Sequence, residues 1–145
     1  MRSRTATFFE ATVRYDSQTE DSTIKKVSEL YVLTVLSFSE AEARIIKEIT
    51  PFVSGDFDVT KLAIAPYREV FFTDSAIDDR WFRAKLYFVT IDEKTSKETR
   101  TAMNYLVQAT DIESARKNIE QVMSSTAIDY EISSIAETKI LDVFE

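Results

Sequence analysis

Apolar residues fall on every second position along Phe8–Asp16. Phe9, Ala11, Val13 and Tyr15 share one face, and Glu10, Thr12 and Arg14 share the other. That alternation predicts a half-buried strand. The polar stretch Asp16–Ser22 predicts a hairpin tip. A return strand follows over about Ile24–Leu36, with Val27, Tyr31, Leu33 and Val35 on one side and a β-branched and aromatic content that suits it. The period then changes. Phe38, Ala41, Ile45, Ile46 and Ile49 form a helical stripe behind Ser37, with Glu40 placed to complete a capping box. Thr50-Pro51 ends the helix, because the residue before proline avoids helical geometry. Gly55, the only glycine, falls in the next turn. Phe57, Val59, Leu62 and Ile64 predict a third strand, and Tyr67–Phe72 beyond Pro66 a short fourth.

The succession then starts again. Phe82, Ala84, Leu86 and Phe88 stand 73 positions after Phe9, Ala11, Val13 and Tyr15. Tyr105-Leu106-Val107 stands 74 after Tyr31-Val32-Leu33, and Ile112, Ala115 and Ile119 match Phe38, Ala41 and Ile45. Val143-Phe144 matches Val70-Phe71. The second copy predicts strand Trp81–Ile91, tip Asp92–Thr99 and strand Arg100–Ala109. A helix capped by Thr110 or Asp111 runs to about Met123, followed by strands Ile128–Ile135 and Lys139–Phe144. This is a match of pattern, the signature of an internal repeat. The predicted fold class is therefore α+β. Two pseudo-symmetric strand-strand-helix-strand-strand units form antiparallel sheets with two helices and one shared core. The chain reads as a single domain of two tandem repeats, about 8–72 and 81–145, joined by an acidic linker at 73–80 that carries Asp74, Asp78 and Asp79. Phe9, Tyr31, Ile45, Phe71, Phe82, Tyr105, Ile119 and Phe144 are the expected core.

Composition narrows the chemistry more than the fold. At 44% hydrophobic and 12% aromatic residues over 145 positions, the chain has enough apolar side chains for a core. It has no cysteine and no histidine. Disulfides, thiolate metal sites, Ser-His-Asp and Cys-His triads and zinc centres with imidazole ligands are all excluded. One glycine cannot build a phosphate-cradling loop. The expectation is a protein that is not an enzyme and has no cofactor or metal. Asp74, Asp78 and Asp79 offer hard oxygen ligands, but a solvated acidic linker that caps a short turn is the reading to expect. No run of 18 apolar residues is present to span a membrane. The absence of cysteine suits a reducing cytoplasm.

The net charge of −7 argues against indiscriminate duplex binding. One strand still carries an interleaved set. Trp81, Arg83, Lys85 and Tyr87 alternate with the core positions of the sixth predicted segment. Arg14 takes the same face in the first copy, and Lys97 and Arg100 follow the second hairpin tip. Cations that track a backbone and rings on which bases stack are what a single nucleic-acid strand needs. Side chains two apart on one face are about 6.6–7 Å apart along a strand, comparable to an extended base step.

Tyr105–Ala109, Leu36–Ile46, Thr90–Thr95 and Glu137–Glu145 resemble segments of an uncharacterised family of short proteins. That family occurs in gut Bacteroidetes and their phages, including crAss-like phages. The resemblance covers essentially the whole chain. It implies a phage or mobile-element context among non-virion genes, and no catalytic residues. In architecture the repeats are also similar to the single-strand-binding PUR and Whirly folds, since the third to sixth strands and the second helix give a four-strands-then-helix order. The expected function is a non-catalytic phage or mobile-element protein that binds single-stranded DNA in replication, in the host-cell cytoplasm. The alternative is a protein-interaction module that binds a host or phage protein, with homo-oligomers open.

Overall fold

A computed structural model describes all 145 residues. In chain order it contains β1 (Arg2–Thr5), β2 (Phe8–Gln18), β3 (Ile24–Thr34), α1 (Phe38–Ile49), β4 (Phe57–Ile64) and β5 (Glu69–Phe72). There follow β6 (Arg80–Ile91), β7 (Glu98–Ala109), α2 (Ile112–Met123), β8 (Asp129–Glu137) and β9 (Ile140–Phe144). The α+β class stands. The segment Arg2–Thr5, which carries no apolar alternation, is a strand that periodicity cannot signal.

The sheets are mixed, not antiparallel throughout. One has the order β1-β5-β7-β6-β8 and the other β4-β2-β3-β9. The antiparallel hairpins β2–β3 and β6–β7 form as expected. The fourth strand of each half departs from expectation. β5 lies parallel to β7 in the sheet of the second half, and β9 lies parallel to β3 in the sheet of the first. Composition explains β5. Val70, Phe71 and Phe72 are consecutive, apolar and all buried. Such a run fits a strand covered on both faces and flanked by neighbours, not an edge. The PUR- and Whirly-like order is not realised, because β4 belongs to one sheet and β5, β6 and β7 to the other.

The chain accordingly divides into two compact units. One comprises Met1–Ala6 with Pro66–Thr138, and the other Thr7–Ala65 with Lys139–Glu145. The segment expected as an acidic linker is a loop within the first of these. Gln108 ties it down: its Oε1 accepts from the Thr73 and Asp74 amides at 3.0 and 3.2 Å, and its Nε2 donates to the Asp78 carbonyl at 2.9 Å.

In the unit that holds α2, the helix lays Ala115, Ile119 and Met123 on Phe82, Ala84, Leu86, Tyr105, Val107 and Phe71. In the unit that holds α1, Ala41, Ile45 and Ile49 pack on Phe9, Ala11, Val13, Tyr31 and Leu33, with Phe144 half-buried beside them. Each parallel pairing carries a ring pair on the diagonal. Phe71 stacks on Tyr105 at 5.2 Å, and Tyr31 on Phe144 at 5.3 Å. Both helices start on side-chain caps. Ser37 Oγ accepts from the Glu40 amide at 3.1 Å. Asp111, not Thr110, caps α2 and accepts from the Ser114 amide at 2.7 Å. That hydrogen bond holds the Asp111 carboxyl below the ordinary aspartate range.

Phe82 is 1% exposed and packs at the centre of its cluster. Phe82→Ala should lower the unfolding free energy by about 3–5 kcal/mol. Urea denaturation measures this, and an unchanged midpoint would mean that the face assigned to β6 is wrong.

Candidate nucleic-acid interface

β6 is regular around Phe82–Phe88, so alternate side chains leave on opposite faces. Phe82, Ala84 and Leu86 point at α2. Arg83, Lys85 and Tyr87 therefore stand on the face away from that helix. The registers supply their neighbours. Lys85 faces Asn104 and Ser134, and Tyr87 faces Ala102 and Glu131. Arg83 faces Leu106 and Ala136. Small side chains at 102, 134 and 136 leave the long ones standing above the sheet.

The central contact is a ring held by two cations. Arg100 lies with its Cζ 4.7 Å from the Tyr87 ring centroid, and Lys85 Nζ lies 5.3 Å from it. Arg100 also donates to the Glu131 carboxylate. Both members of that ion pair are about half exposed, so it orients the guanidinium more than it stabilises the fold. Arg83 is exposed, and neither it nor Lys85 takes part in an ion pair. Lys97 stands at the hairpin tip, where its carbonyl accepts from the Asp92 amide at 2.9 Å. Ser96, at φ 56°, makes the tight return there.

Of the other expected members, one is a packing group and one belongs to the other unit. Trp81 is only 5% exposed, with its ring edge-to-face on Phe72 at 5.6 Å. Insertion of β5 beside β7 brings Phe72 onto this face, so the indole is a packing group and not a stacking platform. Outside Phe72, the Arg2 guanidinium lies 4.1 Å from the ring and pairs with Asp74 at 2.7 Å. Arg14 belongs to the other unit, where it faces Ser28 on β3 and Asp58 on β4. Sequence reasoning missed Glu131. Its place beside Tyr87 depends on the β6–β8 register, which shifts between Lys85 and Leu86.

Two of the three aspartates of 73–80 have partners. Asp78 accepts from the hydroxyls of Thr73 and Thr110 at 2.7 and 2.6 Å. The Arg2 guanidinium beside Asp74 holds that carboxyl below its usual range. No group of three or more carboxylates converges as a metal site. No helix is long and apolar enough to cross a membrane.

A family model described as a domain of unknown function (DUF4494) matches residues 7–145. No curated protein and no solved structure matches the chain.

Trp81 is the only tryptophan, so its fluorescence reports on this packing without interference. Emission should be blue-shifted and weakly quenched by iodide. Emission like that of free indole in water would contradict the Phe72 contact.

Proposed function

We propose, for a chain that belongs to the DUF4494 family, that it is a non-catalytic protein that binds a single nucleic-acid strand on the outer face of β6 and β7. The observation that carries this reading is the Lys85–Tyr87–Arg100 cluster with Arg83 beside it, on a sheet face where Arg83 and Arg100 are exposed and Lys85 and Tyr87 half-buried. Cations over a ring keep it oriented while their remaining N–H groups stay available to phosphate. A base stacked on Tyr87 would contribute about 1–3 kcal/mol. Lys97 and Arg100 extend the positive track toward the hairpin tip. The resemblance to short proteins of gut Bacteroidetes and crAss-like phages supports a place in phage or mobile-element replication, in the host cytoplasm. The net charge of −7 makes a local patch, not the whole surface, the operative feature.

Fluorescence anisotropy with a labelled oligo-dT, at low and at high salt, tests the reading. Wild-type protein should bind at low salt and release as salt rises. Tyr87→Ala should weaken binding roughly ten-fold, and Lys85→Ala should lower the salt slope by about 1. Wild-type protein that does not bind the oligonucleotide even at low salt would overturn it.

A further inference from the structure

We infer that the open half of β7 and the groove beside it form a docking site for an extended segment of a partner polypeptide with apolar side chains at alternate positions, which adds to the sheet as a strand. This site lies on the α2 side of the sheet and does not depend on the nucleic-acid reading.

The backbone makes the first half of the argument. β7 pairs with β6 along its whole length, Glu98–Ala109. On its other side β5 covers only Tyr105–Val107. The last bond there is from the Arg68 amide to the Asn104 carbonyl, at 2.8 Å. Because N–H and C=O of one residue point the same way along a strand, Asn104 sets the parity. The N–H and C=O of Ala102 and Arg100 point to the same open side as the Asn104 carbonyl. No strand pairs with them there. An unpaired strand edge is a template for another polypeptide. A strand laid against Glu98–Met103 would continue a ladder that β5 has already begun. Nucleic acid lacks the alternating donors and acceptors that this edge requires.

The side chains make the second half. A groove of about 490 Å³ runs beside the open edge, under the C-terminal turn of α2. Phe88, Met103, Tyr105, Val122, Met123 and Ile128 supply its apolar side, and the rest is Ser, Thr, Glu69 and Arg68, whose guanidinium donates to the Met103 sulfur at 3.8 Å. Alternate side chains of an added strand would point into it. The volume lies within the range of ligand pockets. Two methionines suit a surface that repacks around different apolar residues.

The corresponding place in the other unit is a built-in contrast. Tyr15 and Glu29 stand there at the positions of Phe88 and Met103 in the repeat alignment. The Tyr31 hydroxyl lies 3.4 Å from the Glu29 carboxylate. A hydrogen bond to Glu29 raises the Tyr15 phenol, and burial followed by Glu29 raises that of Tyr31. The cavity there is lined by Asp16, Ser17, Gln18 and Ser54 together with Tyr15, Ile24, Phe52 and Val53. The contrast lies in Glu29, a carboxylate where Met103 stands here, and it assigns the peptide to one unit alone.

The test uses the full chain and a labelled hexapeptide of alternating Val and Thr, with a second version N-methylated at alternate amides. Amide and methionine-methyl NMR shifts should move at Arg100, Ala102, Met103 and Met123 with the first peptide and stay still with the second. Ala102→Pro removes an outward N–H without touching the β6 ladder, and Met103→Glu installs the residue type found in the other unit. Each should weaken peptide binding at least ten-fold while leaving the melting temperature unchanged, and Met103→Glu, on the α2 side of the sheet, should also leave oligo-dT binding unchanged. Equal binding of the methylated peptide, shifts confined to other surfaces, or no binding by wild-type protein would overturn the inference. Loss of oligo-dT binding alone would bear only on the function proposed above. If light scattering shows the peptide displacing a dimer, the occupant is a second copy and the proposed partner is wrong.

Discussion

Each sheet depends on one parallel pairing. β5 lies beside β7 and β9 beside β3, so in each case the strand comes from the other half of the sequence. A parallel neighbour cannot be reached by a tight turn. The chain passes between the units near residues 6, 65 and 138 to achieve it. The gain is burial. Val70 and Phe71 are 0% exposed, and the stacked pairs Phe71–Tyr105 and Tyr31–Phe144 tie each incoming strand to the central one. Without β5, the apolar face of β7 opposite Val70 would lose its neighbour. The contacts between β5 and α2 would go as well.

The same pairing shapes both candidate surfaces. β5 is only four residues long. It carries Phe72 far enough to cover Trp81, which moves the aromatic centre of the outer face to Tyr87. It stops short of Glu98–Met103 and leaves that stretch of β7 without a neighbour on one side. A longer β5 would have closed the groove. One with a smaller residue at 72 would have left the indole less covered.

Most of the elements were legible in the sequence because their periods are clean. The first strand of each hairpin alternates, the return strands are β-branched and aromatic, and α1 and α2 have apolar stripes bounded by Ser37 and Asp111. Partner choice was not legible. Nothing local in Glu69–Phe72 distinguishes an antiparallel return onto β4 from a parallel insertion beside β7, since either buries the same side chains. The run of three consecutive apolar residues was the available sign that both faces are covered. β1 was invisible because Arg2-Ser3-Arg4-Thr5 is polar on both faces, and β5 alone gives it a place. Arg83, Lys85 and Tyr87 were placed correctly on one face because alternation alone decides it. Trp81 was misjudged because Phe72 reaches it only through β5.

Native-state hydrogen exchange of the backbone amides, resolved by residue, tests the dependence on crossed strands most directly. Amides bonded in the β5–β7 and β3–β9 ladders should exchange as slowly as those in the middle of the β6–β7 hairpin, because they open only when the whole unit does. If the β5 and β9 amides exchange like frayed chain ends while β6 and β7 stay protected, the two parallel pairings are peripheral and the account is wrong.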